Sequence, residues 1–387
     1  MPKLPHDVTI SGAGIAGLTA GILLARAGRQ VTIFERREEL TAFGAGIQIT
    51  PNGSAILQVM DLLHGADRAR CIEIREGEDV LYRLKLSDRN GYFLFHRGDL
   101  IRKLLHAASE AGVTLRLGSE IVNTAATATE VRCAFADGNR HIASYVIAAD
   151  GVSSPMRQMR NPGSEPVLCD HCAWRGQIVS ERDEFASMQG IVQLVIGAAA
   201  HMVIYPLRKG SRLNVVVVTG LEQPRHLQRP REVTTAEIGS ALNGFEEAKY
   251  WLGRCRGVWK WLLPRPFIAR NWYHDRVVII GDALHPMPPF LAQGGNMALE
   301  DAWLLCRCLL DCDDVGDAHA RFRQARQPRL NRIIRSVELQ GQFYHADSVP
   351  VKWGRRWLLR AADRTWPSLL SDRLRWIYDT DLTRDGS

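Results

Sequence analysis

The sequence predicts an α/β fold, with a parallel sheet covered by helices, an inserted mixed or antiparallel sheet, and C-terminal helices. Three observations predict it. Residues 7–34 read as strand, glycine turn, helix and strand. The middle third is dense in short apolar β patterns, and an uninterrupted apolar strand returns at 276–280 just before a long helical run.

Taken in order, 7–11 is a strand, 12–17 a glycine turn, 18–27 a helix and 30–34 a second strand. A helix is expected over 99–111, where Leu100, Ile101, Leu104, Leu105 and Ala108 share a face and Asp99 stands at a capping position. Strands follow at 113–117, 130–135 and 145–149, with a turn at Asp137-Gly138. The runs 191–196, 201–205 and 213–219 suggest an antiparallel sheet, and one helix is expected over 235–254. The strand 276–280 turns at Gly281-Asp282 and passes through a proline-rich loop into a helix over 294–310, which returns the chain to its first domain. The end, 350–379, reads as helical and rich in Trp and Arg. The expected division is a discontinuous nucleotide-binding domain (1–75, 97–172 and 268–345), a substrate domain (76–96 and 173–267) and a C-terminal helical segment (346–387).

At 387 residues, 46% hydrophobic and 24% charged, the chain can bury a large core and reads as fully folded. Its net charge of +7 is small beside 49 basic and 42 acidic residues, so it favours anionic ligands only weakly. Arg321, Arg323, Arg326, Arg329, Arg332 and Arg335 recur at helical spacing. With no zinc-finger or RNA-binding signature beside them, they read as a solvated helix face rather than a nucleic-acid contact. Eight cysteines in a chain without a secretory leader read as reduced thiols, and Cys169, His171 and Cys172 lack the second ligand pair of a zinc site. The nearly uncharged stretch 8–25 is broken by glycines, which argues against a membrane span. A cytoplasmic monomer or homodimer is expected, with a small-molecule substrate and no metal, nucleic acid or membrane partner.

Gly12-Ala13-Gly14-Ile15-Ala16-Gly17 makes the opening unit Rossmann-like. Gly12 permits the tight turn, Gly14 lets a pyrophosphate approach the helix N-terminus through Ile15 and Ala16, and Gly17 lets the helix close on the sheet. Glu35, ending the second strand beside Arg36 and Arg37, can accept from ribose hydroxyls; otherwise it is a surface carboxylate. Far away, Gly281 permits close approach, Asp282 offers a carboxylate, and Gln293-Gly294-Gly295-Asn296 opens a helix whose positive end can face an anionic ring.

With these motifs the sequence resembles the class A flavoprotein aromatic hydroxylases, the para-hydroxybenzoate hydroxylase family, and especially its salicylate hydroxylase-like branch. The match rests on the glycine loop with Glu35, on Ala149-Asp150-Gly151 followed by Ser153, Ser154 and Arg157, and on Gly281-Asp282 with Pro286, Pro289 and Gln293-Gly294. The resemblance implies tightly held, non-covalent FAD, with NAD(P)H and dioxygen as co-substrates. Asp282 would hold the ribityl chain, Arg97 the phosphate or ribose region, and Asp150 both FAD and pyridine nucleotide. Read from its neighbours alone, Arg97 instead pairs with Asp99. Gly44-Ala45-Gly46-Ile47-Gln48 looks like the loop beside the flavin ring, with Gln48 facing the site. Only one glycine fingerprint is present, so NAD(P)H would bind transiently in a groove.

The implied reaction activates dioxygen at flavin C4a and delivers one oxygen to an electron-rich ring, behind a stiff wall at Pro286 and Pro289 that keeps water out. A histidine titrating near neutrality would deprotonate a phenol, and His201 in His201-Met202-Val203-Ile204-Tyr205-Pro206 is the candidate, sharing a strand face with Val203 and Tyr205. A structural histidine is the alternative. Arg175 or Arg83 would pair with a substrate carboxylate, unless either belongs to a surface ion pair. Trp251, Trp259, Trp261 and Trp272 read as core or interface. Epoxidation or oxidation of a non-aromatic ring, and a flavin redox sensor without catalysis, remain alternatives.

Overall fold

Val8, Ile10, Val31 and Ile33 are fully or almost fully buried, which places the first two strands at the centre of a sheet rather than at its edge. The structure is a computed structural model, describing residues 5–40, 46–87, 90–180, 184–221, 230–346 and 348–384. Its first sheet has six strands in the order Tyr273–His274, Val277–Ile279, Val146–Ala148, Asp7–Ser11, Gln30–Phe34 and Thr114–Arg116, all parallel except the first. Helices Ile15–Arg26, Arg97–Glu110 and Gly294–Asp311 pack together beside it.

The second sheet has eight strands, in the order Arg231–Glu232, Val258–Pro264, Leu168–Val179, Arg212–Gly220, Ala200–Leu207, Ile191–Ile196, Cys71–Glu76 and Asp79–Lys85. It is antiparallel except where Ile191–Ile196 runs parallel to Cys71–Glu76. Tyr92–His96 does not join it, pairing instead with Gly46–Ile49 and Asp67–Ala69 in a small three-stranded sheet.

Three local expectations are corrected. The helix expected over 235–254 is two, Thr235–Ala241 and Glu246–Gly253, because Gly244 turns the chain through a φ of +83°. The C-terminal run is likewise Val349–Thr365 and Leu369–Tyr378, parted at Pro367, whose ring cannot continue a helix. Asp99 does not cap its helix: His96 accepts the Gly98 amide, and Asp99 lies inside the first turn bound to Arg102 and, at 2.9 Å, to Arg208.

The arginine series gives the largest correction. It lies on Val315–His345, and Arg321, Arg332 and Arg335 are exposed as expected, but Arg326 is 1% exposed and closes on Glu300 and Asp301, both fully buried. Arg329 forks onto Glu300 with two contacts of 2.7 Å. Asp301 in turn accepts the Gly281 amide at 2.9 Å and meets His285 Nε2 at 2.5 Å. Glu300 accepts from Asn52, which reaches Gln293 at the start of the helix Gly294–Asp311. A carboxylate stripped of its cation in such a place costs about 3 to 5 kcal/mol. Arg326→Leu should therefore lower folding stability by that amount in urea denaturation, and an unchanged midpoint would refute the role of this lock.

Candidate active site

Between the two large sheets lies a cavity of about 1410 Å³. Single-ligand pockets hold roughly 300–1,000 Å³, so this one has room for more than one molecule.

Its first end is made of backbone. Gly12 has a φ of +99°, and a Cβ there would meet the Ala149 carbonyl; one at Gly17 would meet the carbonyl of Gly12. At Gly14 a Cβ would meet nothing within 4 Å, so the turn is open on the side where Gly14, Ile15 and Ala16 line the cavity. The helix starting there has no side-chain cap and no acidic residue in its first turn, which leaves its N–H groups for an anion. Glu35 accepts the amides of Ala13 at 2.9 Å and Arg37 at 3.1 Å, keeping further lone pairs for hydroxyl groups, and Arg36 continues the wall.

The middle of the cavity is lined by Arg97, Asp282, Gly294 and Gly295. Enclosure by the cavity walls raises the Asp282 carboxyl above its ordinary range, against the pull of His285 and Arg97, and lowers Arg97, although both side chains are open to solvent within the cavity. Gly281, at a φ of +64°, brings this turn against Ala16. A Cβ at Gly295 would press on the terminal methyl of Ile47 at 2.8 Å, so glycine leaves this helix start open without displacing it, again without a cap. Asn296 is corrected: it is fully buried and bonds Thr50, Gln48 and Ala292, tying the helix to the strand Gly46–Ile49 instead of facing a ligand. Asp150 stands just behind a wall formed by Ala149, Gly151, Val152 and Ser153. Neither of its buried oxygens has a well-formed hydrogen bond among the described residues, and burial pushes its carboxyl up to about 6 against the weaker pull of Ser154 and the Met156 amide.

The far end is one face of the eight-stranded sheet. Register places Arg175 opposite Val216 and Trp259, and Val216 opposite Val203; His201 and Val218 pair two residues along. Alternation turns His201, Val203 and Tyr205 to the same side, and all three line the cavity, as do Trp259 and Trp261. Two strand spacings and two residue rises put the Cα atoms of Arg175 and His201 on the order of 12 Å apart, a gap that a small ring fills once both side chains reach inward. Pro286, Met287 and Pro289 form the opposite wall. Gln48 also faces the cavity, held by the hydroxyl of Tyr92, while Gly44 and Ala45 lie outside the described residues. Gly46 passes so close to Tyr205 and Asn214 that no Cβ fits, and its amide bonds Asn214 at 2.5 Å.

Arg175 has no acidic partner among the described residues. Its guanidinium lies 5.5 Å over Trp261, and burial, with Arg97 beside it, brings it down to about 10. Arg83 is corrected: it is mostly exposed on the edge strand Asp79–Lys85, paired with Glu73 at 2.9 Å and remote from the cavity wall. Arg97 likewise makes no pair with Asp99, which is committed to Arg208 and Arg102. His201 keeps its place but not its expected titration. It is 3% exposed, Nδ1 lies 3.1 Å from His345 Nε2, and burial together with His345 and His171 holds it well below neutrality. No signal in the sequence pointed to His345, and His171 stood out only within the Cys169–Cys172 cluster. Alternation along Val258–Pro264 was the available signal for Trp259 and Trp261. Among the described residues no cluster of His, Cys, Asp and Glu has the form of a metal site, and no helix is long and apolar enough to cross a membrane.

Comparison with known proteins agrees with this geometry. Residues 6–336 match a family model described as FAD binding domain. The chain is 31% identical to 3-amino-4-hydroxybenzoate 2-monooxygenase PtmB3 of Streptomyces platensis, over 98% of this chain and 97% of that one. It is 30% identical to 3-hydroxybenzoate 6-hydroxylase of Klebsiella oxytoca, over 90% and 91% respectively. In fold it superposes on a salicylate hydroxylase substrate complex with a TM-score of 0.79 at 22% identity, covering 97% of this chain and 96% of the other. The open Gly14 turn, the two uncapped helix starts and Asp150, without a well-formed hydrogen bond, fit FAD.

Because the folded pKa of Asp150, about 6, lies above the ordinary 3.8, its protonation stabilises the apoprotein fully below pH 3.8 and that contribution is lost as pH rises through 6. Asp150→Asn should flatten this loss and raise apoprotein stability at pH 7.5 by on the order of 2 kcal/mol, while weakening FAD retention. A denaturation midpoint equal to or below that of the unsubstituted apoprotein at pH 7.5 would contradict this.

Proposed function

The chain belongs to the FAD binding domain family of flavoprotein aromatic hydroxylases, and from that premise we propose that its substrate is a small aromatic acid with a ring hydroxyl, held by Arg175 and His201. It is an FAD-dependent monooxygenase that uses NAD(P)H and dioxygen. The observation carrying the substrate reading is Arg175, a half-buried guanidinium on the cavity wall with no acidic partner among the described residues. A partly desolvated charge in that position favours a carboxylate that can take two parallel hydrogen bonds.

FAD, when bound, supplies the reducing equivalents taken from NAD(P)H and the atom at which dioxygen is activated. Arg175 orients the acid. His201, a neutral imidazole, accepts a hydrogen bond from the ring hydroxyl and so raises electron density in the ring. Val203, Val216, Val218, Trp261, Pro286 and Met287 exclude water around the ring. Asp282 and Arg97 hold the ribityl and phosphate regions, Glu35 the ribose, and the uncapped start of Gly294–Asp311 offers its dipole to negative charge on the cofactor ring. All eight cysteines are free, which supports a reducing, cytoplasmic setting.

Hydroxybenzoates, hydroxypyridines and their uncharged analogues, supplied under isotopically labelled dioxygen, test this. A carboxylated phenol should stimulate NAD(P)H consumption most strongly and emerge with one labelled oxygen; label confined to hydrogen peroxide or water across the panel would defeat the hydroxylase reading. Arg175→Ala should raise KM for that acid about 10- to 100-fold while sparing an uncharged analogue. Since His201 stays neutral well below pH 6.5, its own titration should leave no inflection near 6.5 in kcat/KM.

A further inference from the structure

His345 is the last residue of the helix Val315–His345, and its Nδ1 lies 2.8 Å from the carbonyl oxygen of Gly341, one turn earlier. A carbonyl only accepts, so this nitrogen carries the hydrogen and, in a neutral ring, Nε2 is bare. That bare nitrogen lies 3.1 Å from Nδ1 of His201, 144 residues away in sequence. Nδ1 of His201 must therefore donate, which leaves its Nε2 bare as well. With Nδ1 turned to His345, Nε2 is the nitrogen that His201 has left for the cavity it lines.

We propose that His345 is a positioning residue: through the relay from Gly341 it fixes His201 as a hydrogen-bond acceptor, so this end of the cavity selects a ring substituent with a hydrogen to donate, a hydroxyl or an amino group. A carboxylate, which can only accept, is turned away from His201 toward Arg175. The inference rests on the reading of His201 given above and adds the device that sets its polarity.

The surroundings keep both rings neutral, as the relay requires. His171, on Leu168–Val179, stacks on His345 with ring centroids 4.1 Å apart, and Tyr344 lies 4.6 Å from His201. Phe290 covers both rings from the proline-rich loop. Burial lowers His171 against the opposing pull of Asp170, and at His201 and His345 burial and the neighbouring imidazoles lower the pKa, for His345 to about 4. Protonation of either ring would make both of its nitrogens donors and erase the direction of the relay.

Histidine-selective ¹⁵N spectra of the FAD-loaded enzyme test the tautomers directly, with His201→Gln and His345→Gln used to assign the two rings. The expected result is a protonated Nδ1 and a bare Nε2 in each; a protonated Nε2 on His201 overturns the proposal whatever the variants do. In turnover, His345→Leu should lower kcat about tenfold, at unchanged FAD content and with little change in KM for the acid. His345→Gln, whose amide oxygen can still accept from His201, should recover turnover to within about threefold of the starting enzyme. Undiminished kcat in His345→Leu alongside an impaired His201→Ala overturns the inference alone. Undiminished kcat in His201→Ala overturns the reading beneath it too.

Discussion

Two carboxylates kept away from water anchor the segments that form the middle of the cavity. Glu300 and Asp301 are adjacent on one helix, and desolvating them is tolerable only because Arg326 and Arg329 close over them. From Asp301 the order passes to the Gly281 amide and His285, which set the turn presenting Asp282 and Pro286. From Glu300 it passes through Asn52 to Gln293, and so to the open helix start at Gly294. Three segments remote in sequence thus share one anchor, and each can be placed only when the others are.

The cavity that results is divided by chemistry. Its nucleotide end is made mainly of backbone, with a turn left open at Gly14, two helix N-termini without caps, and amides left for an anion. Preorganised dipoles of this kind hold negative charge without having to rearrange around it. The substrate end is made of side chains standing on one sheet face, where alternation and register put Arg175, His201 and Tyr205 on the same side. In the proposed reading, the charge of Arg175 and the directed acceptor His201 distinguish the two ends of a small aromatic acid. Aromatic and proline side chains around them supply shape and dryness.

Much of this is legible in the order of the residues. The glycine positions can be read because backbone sterics are local: a φ of +99° at Gly12, and an approach that a Cβ would block at Gly17, announce themselves in a few residues. Strand alternation correctly puts His201, Val203 and Tyr205 on one face, and the short apolar runs of the middle third correctly imply a mixed or antiparallel sheet. Breaks within helices are less legible. Gly244 and Pro367 lie in runs of otherwise helical spacing, and their effect depends on what the flanking turns pack against.

What the sequence by itself determined was the α/β architecture, the nucleotide loop and the late Gly-Asp turn, each from short-range periodicity or a motif contained in one segment, and, through the resemblance that its three motifs carry, the class of reaction. What only the tertiary structure decided was which charges meet: Arg326 with Asp301, Arg83 with Glu73 rather than with a ligand, Arg175 with no acid among the described residues, and His201 with His345. The physical reason is that the state of a titratable group depends on desolvation and on neighbours within a few ångströms, and folding brings those neighbours from positions that no local pattern connects.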